Sequence, residues 1–297
     1  MQTNTKSNQK SSTFSETKMD FKIAWQSLKG NYKAFIGTVI FAGLALFITL
    51  ITLTSILILI VALIPTISVD EFFGKFSNNF GLSRIFRILI GLIAISIFYA
   101  FLNSQHGLAY DIMSSGEMFT EFKNSFAYFK KYWWQYPLLT FFLMIINTLF
   151  SLGYRFENSG SHIHNYPINI IQISLNIGEL ILFFIWFLLF IHTFPSLTSQ
   201  GSFKRSYTES LRIIKSNPKR VISTWGTFFM IFVIPLITLG FFAEHFINLY
   251  LAIAFGIDFI FVIFIGFPML SLLARGIYNN VEFQRFKPDL EEKIEGN

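Results

Sequence analysis

The sequence predicts an all-α fold: a polytopic membrane protein with six transmembrane helices and three amphipathic helices at the membrane interface. Of its 297 residues, 53% are hydrophobic and only 13% are charged, and the mean hydropathy is +0.54. A soluble domain usually carries about 25% charged residues, so this chain has too little charge to cover a water-facing surface. It also has 39 Phe and no Cys, which excludes disordered and disulfide-stapled classes.

Six long apolar stretches account for the predicted spans. The first, residues 34–64, carries no charge over 31 residues and would be about 46 Å long as a helix. Because the hydrocarbon core of a bilayer is only about 30 Å thick, this stretch predicts one tilted helix that ends at Pro65. The remaining stretches are residues 85–114, 136–152, 168–197, 221–242 and 247–273.

The basic residues indicate how these spans are oriented. With both termini on the inner side, 19 of the 23 Lys and Arg residues fall in inner segments. Such a positive-inside bias predicts an even number of spans and a multi-pass protein of the cytoplasmic or inner membrane, with both termini inside. It also accounts for the net charge of +6 without nucleic acid as a partner. The basic residues on or near the outer side are Lys75, Arg84, Arg87 and Arg155.

A five-residue motif occurs three times, each time ahead of a predicted span. The segments FKIAW (21–25), FKNSF (122–126) and FKRSY (203–207) each read Phe, Lys, any residue, Ala or Ser, aromatic. Aromatic residues at helical spacing on one face, with Lys off that face, are typical of a helix that lies in a membrane interface. The predicted interfacial anchors are Phe21, Trp25, Phe122, Phe126, Trp133, Phe203 and Tyr207.

The motif predicts a threefold internal repeat. Each repeat would contain an inner-surface helix, a span, an outer loop and a returning span, so three repeats account for six spans. A disordered tail of Ser, Thr, Asn and Gln is expected at residues 1–18, a single membrane domain at 19–280 and a charged tail at 281–297. The predicted repeats are residues 19–116, 117–200 and 201–280.

A turn sequence follows the motif in two of the copies. It reads Ile214-Lys215-Ser216-Asn217-Pro218 in the third copy and, more loosely, Leu28-Lys29-Gly30-Asn31 in the first. This arrangement resembles a group of poorly characterised six-span prokaryotic integral membrane proteins, which includes the membrane domain fused to some glycerophosphoryl diester phosphodiesterases. The resemblance covers about residues 19–280. It implies a membrane fold without an established catalytic residue, and no phosphodiesterase domain is expected in this chain.

The sequence lacks the common catalytic motifs. It contains no G-x-x-x-x-G-K-[ST], no G-x-S-x-G and no H-E-x-x-H. We therefore expect no enzyme activity, no cofactor and no metal site, and we assign no catalytic residue. His106 and His192, near the inner ends of spans, are expected to be interface residues that hydrogen-bond locally. Asp111, also near an inner end, is expected to be easily solvated.

Two acids inside predicted spans form the candidate polar site. Glu179 lies about ten residues into the fourth span and Asp258 about eleven into the sixth, which places both about 15 Å deep. An ionised carboxylate at that depth is unfavourable unless it is paired, hydrated or protonated. Arg87, early in the second span, is the candidate partner. Two alternatives are open for these three residues. They form a structural ion pair, or they form a site for a substrate, an ion or a proton.

Two kinds of function fit this pattern. The first is a non-enzymatic structural, lipid- or partner-interacting membrane subunit. Its partners would be the bilayer, the anionic lipids of the inner leaflet and other membrane proteins. The second is a transporter or permease subunit with a polar site near Glu179 and Asp258. A continuous polar cavity that reaches either acid would favour transport, whereas a packed bundle with an open apolar flank would favour the lipid or partner role.

Overall fold

A computed structural model of the chain shows helices wherever it describes regular structure. It describes residues 13–62, 80–114, 120–130, 191–246 and 249–295, together with single positions between 178 and 189. The helices are α1 (Thr13–Ala62), α2 (Phe80–Met113), α3 (Asn124–Lys130), α4 (Thr193–Gln200), α5 (Phe203–Ser216), α6 (Pro218–Phe228), α7 (Ile234–Phe246), α8 (Leu249–Phe261) and α9 (Phe267–Glu295). Two short π-helical turns, Phe229–Val233 and Val262–Gly266, join α6 to α7 and α8 to α9.

Three of the helical stretches are long and apolar enough to cross a membrane: Thr13–Ile56, Pro218–Gly240 and Leu249–Val281. They contain most of the predicted first, fifth and sixth spans. All but the last residue of the predicted second span falls within α2, a single helix of 34 residues. The predicted third span lies outside the described residues, and so does half of the fourth. The described part of the chain is therefore all-helical, and its three long apolar helices are compatible with a membrane protein.

Two asparagines interrupt the helices where the sequence shows its shared turn. Asn31 has non-helical backbone angles inside α1 (φ −125°, ψ 17°), and its side-chain Nδ2 donates to the carbonyl oxygen of Ser27 at 3.1 Å. Asn217 (φ −143°, ψ 56°) separates α5 from α6, and Pro218 follows as the first residue of α6. Asparagine side chains compete with the helical backbone for hydrogen bonds, and proline fits the first turn because it needs no N–H there.

The motif segments are helical in two of the three copies. The segment at Phe21 lies within α1 before the Asn31 break, and the segment at Phe203 forms α5. In the middle copy, Phe122 lies in a turn that α3 follows.

The buried face of each motif segment contains the small residue of the motif. Ala24, Ser125 and Ser206, the fourth residue of each copy, are only 1%, 1% and 0% exposed. The neighbouring aromatic residue Trp25 is 50% exposed. The side chain of Trp25 thus lies outside the protein core. The side chains of Trp133 and Phe203 lie outside the described residues.

The chain divides into two packing units that do not follow the sequence order. The first packing unit contains Met1–Phe35, Gln105–Glu121 and Phe187–Asn297, and the second contains Ile36–Ser104 and Phe122–Trp186. Each unit therefore combines segments that are far apart in the sequence.

The first packing unit contains an antiparallel hairpin, in which α6 and α7 run against α8 and α9. Phe232 stacks on Phe261 with ring centroids 5.3 Å apart, and a Cβ atom added to Gly240 would lie 3.2 Å from the ring of Phe255. Residues near the start of α6 therefore lie opposite the first turns of α9. The fully buried side chains at this end include Trp225 and Leu273.

The second packing unit joins the motif of the middle copy to α1 and α2. Phe41 of α1 packs edge-on against Phe126 and Phe129, with ring centroids 4.6 and 5.2 Å apart. The Ser104 hydroxyl of α2 donates to the carbonyl oxygen of Ser125 at 3.1 Å. The small residue of the motif thus lets its backbone approach a neighbouring helix closely.

Candidate functional site

Of the predicted polar site, the described residues include only Asp258 with its side chain. Asp258 lies nine residues after Leu249 in α8, or about 14 Å along the helix. It is half-buried, and its Oδ2 is buried without a hydrogen-bond partner in the described part of the chain. Glu179 and the side chain of Arg87 lie outside the described residues, so the ion pair expected between Arg87 and an acid stays a prediction.

A different set of polar side chains forms a buried polar core in the first packing unit. Its members come from α2, the segment around α4, α6 and α9. All are nearly or completely buried. The buried polar core consists of His106, His192, Thr193, Ser196, Trp225 and Arg275.

His192 is held in one protonation state by Trp225. The indole Nε1–H of Trp225 donates to Nε2 of His192 at 3.0 Å. Because the indole is only a donor, Nε2 of His192 must accept, and a neutral imidazole then carries its proton on Nδ1. The partner is 33 residues away in the sequence. The expectation of a local hydrogen bond is therefore wrong for this fully buried histidine.

His106 is fully buried as well, and it packs as an aromatic ring. It stacks on Phe194 with ring centroids 5.0 Å apart and an angle of 4° between the planes. Neither ring nitrogen has a hydrogen-bond partner within the described ranges, and the same is true of the hydroxyls of Thr193 and Ser196. The local hydrogen bond expected of His106 is therefore not found among the described residues. The polar run Asn-Ser-Gln-His at 103–106, inside an otherwise apolar helix, was the sequence signal for a buried polar position.

Arg275 connects three parts of the first packing unit. Its Nε donates to the hydroxyl of Ser114 at 2.7 Å, and its Nη1 donates to the carbonyl oxygen of Pro195 at 2.7 Å and to the hydroxyl of Ser199 at 2.9 Å. The guanidinium also lies over the ring of Tyr110, 4.5 Å from the centroid. Only 2% of Arg275 is exposed, and burying a cation requires such hydrogen bonds.

A cleft of about 420 Å³ opens beside this arginine. The Ser114 hydroxyl donates to Oδ1 of Asn279 at 3.0 Å, and Nδ2 of Asn279 donates to the carbonyl oxygen of Met113 at 2.9 Å. The wall is therefore organised by hydrogen bonds between α9 and the end of α2. The cleft is lined by Tyr110, Met113, Ser114, Ser199, Arg275 and Asn279. We refer to it below as the Arg275 cleft.

A second cleft, of about 260 Å³, shares Met113 and Asn279 with the first and contains an ion pair. Nε of Arg220 donates to Oδ2 of Asp20 at 2.9 Å, and Nη2 of Arg220 donates to the other carboxylate oxygen. The exposed fractions of the two side chains are 12% for Arg220 and 7% for Asp20. The contact is therefore a two-point pair largely removed from water, and it joins the helix before Asn31 to the start of α6.

Asp111 is also buried, contrary to the expectation that it is easily solvated. It is 7% exposed, and its Oδ2 accepts a hydrogen bond from the hydroxyl of Thr120 at 3.0 Å. The backbone N–H of Thr120 in turn donates to Oδ1 of Asn31 at 3.0 Å. Thr120 thus covers the acid and helps to exclude water from it.

Both clefts lie beyond the apolar part of the hairpin. Arg220 is two residues after the start of α6, and Arg275 is 26 residues after Leu249, or about 39 Å along that path. A hydrocarbon core of about 30 Å that began at Leu249 would end well before Arg275. The geometry places the Arg275 cleft at the polar end of the hairpin.

The site offers hydrogen bonding and positive charge, and no group of metal ligands. Among the residues that the structure describes, no three His, Cys, Asp or Glu side chains are grouped in a way that could hold a metal ion. Comparison of the chain with protein-family models, curated proteins and solved structures gave no match.

Proposed function

We propose that this chain is a non-enzymatic integral membrane protein, with six spans in three repeats, that holds anionic lipids of the inner leaflet through basic interfacial helices. The observation that carries the proposal is the division of the motif helices into two faces. One face of each motif helix is buried in the protein and contains the small residue of the motif. The basic side chains are exposed on other faces of the helix.

The buried small residue supports the repeat. It occupies the same motif position in Ala24, Ser125 and Ser206, although the three copies lie in different sequence surroundings. The breaks at Asn31 and Asn217 add a second shared feature, because each ends a motif helix just before a helix long enough to cross a membrane. Descent of the repeats from one ancestral sequence would explain both the shared small residue and the shared helix break.

The exposed basic residues support binding to an anionic surface. A Lys or Arg close to such a membrane surface contributes about 1 kcal/mol of attraction. Eight exposed basic residues on or next to the two described motif helices would therefore contribute a substantial binding energy. They are Lys18, Lys22, Lys29, Lys33, Lys204, Arg205, Lys215 and Lys219.

Cysteine labelling tests the membrane topology. The chain has no Cys, so single cysteines can be introduced without background labelling. We expect sites near both termini to react from the inner side and a site at Asn158 to react from the outer side. Outer-side labelling of a cysteine next to Lys123 or Lys215 would contradict the six-span arrangement.

Lipid retention tests the role of the basic helices. In native mass spectrometry of the purified protein, the fourfold variant Lys22→Gln, Lys29→Gln, Lys204→Gln, Lys215→Gln should retain fewer phosphatidylglycerol molecules than the wild type. The matched control changes the same four residues to Arg and keeps the charge, so its lipid count should stay at the wild-type level. An unchanged count in the Gln variant would overturn the proposed function.

Asp258 favours transport as a second candidate function. A carboxylate oxygen buried at the middle of a span, with no hydrogen-bond partner in the described part of the chain, is the kind of group that binds protons or ions in membrane carriers. Thermal stability separates this from a structural role. If Arg87 pairs with Asp258, Arg87→Leu destabilises the protein and Asp258→Leu restores the loss. If Asp258 serves transport, Asp258→Asn remains as stable as the wild type.

A further inference from the structure

We infer that the buried polar core contains a binding site for internal water, formed by His106, Thr193 and Ser196. The water molecules would supply the hydrogen bonds that these three side chains lack among the described residues, and they would connect α2 to α4. Such a site lies inside the protein and does not depend on the proposed lipid binding.

Four polar atoms of these side chains are buried without a hydrogen bond. They are both ring nitrogens of His106 and the hydroxyl oxygens of Thr193 and Ser196, and none has a partner in the described part of the chain. The three residues are 0%, 2% and 0% exposed, so bulk solvent does not reach them. Because about 90% or more of buried polar groups in proteins are hydrogen-bonded to protein or to ordered water, four such atoms without a partner would be exceptional.

The three residues lie together around the first turn of α4. Thr193 and Ser196 are three residues apart in this helix, so their side chains are neighbours on its surface. The ring of Phe194 stacks on the imidazole of His106, with ring centroids 5.0 Å apart and 4° between the planes. Because the hydrogen bonds of an imidazole lie in the plane of its ring, Phe194 fixes that plane and leaves both nitrogens open to water at the ring edge.

A hydroxyl in a helix can instead bond to the carbonyl oxygen four residues earlier. Thr198, in the second turn of α4, makes this bond to the carbonyl of Phe194 at 2.9 Å. The corresponding carbonyl for Thr193 is that of Leu189, and it accepts from the hydroxyl of Ser210 at 2.6 Å. The local solution that satisfies Thr198 is therefore already in use at Thr193.

Water matches the donors and acceptors of this site. A neutral imidazole has one donor and one acceptor, and each hydroxyl can donate one bond and accept others. A water molecule can do both, and buried waters typically make about three hydrogen bonds. A cation would leave the imidazole N–H without an acceptor, and an apolar ligand would leave all four atoms unpaired.

Apolar variants of similar shape distinguish a hydrated site from a dry one. Thr193→Val replaces the hydroxyl by a methyl group. If the hydroxyl is paired with water, the folding equilibrium constant should fall roughly fivefold, as for the loss of an ordinary hydrogen bond. If the hydroxyl is dry, the same change removes an unpaired polar group and should raise the constant. Unfolding in mixed detergent micelles measures this constant.

Thr198→Val is the matched control, because it makes the same replacement in the same helix at a hydroxyl whose partner is known. We expect Thr193→Val to lose about as much stability as Thr198→Val. A Thr193→Val variant that is as stable as the wild type, or more stable, would overturn the inference.

Solid-state NMR detects the water itself. In protein with ¹⁵N-labelled histidine in lipid bilayers, magnetisation transferred from water protons should reach the ring nitrogens of His106. The signal is identified by its loss in His106→Phe, which keeps a ring against Phe194, and Ser196→Ala should weaken it because the water loses a partner. A wild-type spectrum without transfer to His106 would contradict the inference. If His106→Phe does not fold, the comparison of Thr193→Val with Thr198→Val decides the question alone.

Discussion

Each packing unit contains a contact between a motif segment, or the helix just before it, and a helix that begins at an asparagine break, and the two contacts use different chemistry. In the first unit, Asp20 and Thr17 lie just before the motif segment and contact the start of α6 through Arg220 and Ser223. In the second unit, Phe122 and Phe126 contact α1 through the ring of Phe41. The first contact is polar and directional, and the second is aromatic.

One position explains much of this difference. The sixth residue after the break is Ser223 in the first contact and Gly37 in the second. The Ser223 hydroxyl accepts a hydrogen bond from Thr17 at 2.9 Å. A Cβ atom at Gly37 would lie only 2.8 Å from Cδ2 of Phe122. The comparison shows that the same position after the helix break can support either kind of contact. A serine there provides a hydroxyl for a polar contact, and a glycine there leaves space for an aromatic ring.

The largest effect is expected from breaking the ion pair of the polar contact. Arg220→Leu leaves the buried Asp20 carboxylate without its partner, and the free energy of unfolding should fall by about 3–5 kcal/mol. The double variant Asp20→Leu, Arg220→Leu should recover most of that loss, because no buried charge remains. Unfolding in mixed detergent micelles measures both values. A double variant as unstable as Arg220→Leu would show that the pair is not the basis of the contact.

Filling the space at Gly37 should have the next largest effect, in the aromatic contact. Gly37→Ala forces the Phe122 ring to move, and overpacking of this kind costs about 1–3 kcal/mol. Gly43→Ala is the matched control on the same helix, since no atom lies within 4 Å of its added Cβ. Both variants gain the same helix propensity, so the difference between their unfolding free energies isolates the clash. Equal stabilities would mean that the ring contact is loose.

Removing the central ring of the aromatic contact should have a smaller effect. Phe41→Leu keeps an apolar side chain but loses the edge-on contacts with Phe122, Phe126 and Phe129, each worth about 0.5–1.5 kcal/mol at full burial. Because Phe41 is half-exposed, a total loss of about 1–2 kcal/mol is expected. Phe47→Leu, at an exposed position of the same helix, provides the comparison in the same unfolding assay and should be close to neutral.

The smallest effect concerns the hydroxyl pair of the polar contact. Thr17→Val preserves the shape of the side chain and deletes its hydrogen bond to Ser223, which should cost about 0.5–1 kcal/mol. In a double-mutant cycle with Ser223→Ala, the two losses should not add. Fully additive losses would mean that the two hydroxyls do not interact and that the ion pair alone stabilises this contact.

The sequence was sufficient to predict the all-helical fold and the positions of the helix breaks. Long uncharged stretches predicted helices that could cross a membrane, and the shared Lys-x-Asn turn predicted where the motif segments end. These features are local, because hydropathy and backbone hydrogen bonding depend on neighbours within a few residues.

The buried faces could not be predicted in the same way. The aromatic stripe predicted an anchor at Trp25, and that side chain is half-exposed, but nothing in the motif marked Ala24 as the residue that the core contains. The partners of Arg275 lie 76 to 161 residues away, so sequence spacing carried no information on them. Arg275 was counted only as an inner-side charge, and its cleft was missed.

The paired π turns of the hairpin have a consequence for insertions and deletions. Phe229–Val233 and Val262–Gly266 lie opposite each other, since a Cβ at Gly266 would be 3.2 Å from the Phe232 ring. A π turn accommodates one extra residue in an α-helix, and one residue corresponds to a rotation of about 100°. Deleting a residue from one turn alone would rotate Arg220 or Arg275 away from its partners relative to the other half of the hairpin. Deleting one from each turn would rotate both arginines, and because Asp20 and Ser114 lie outside the hairpin, neither contact would be restored. The length of each helix is therefore expected to be fixed independently of the other.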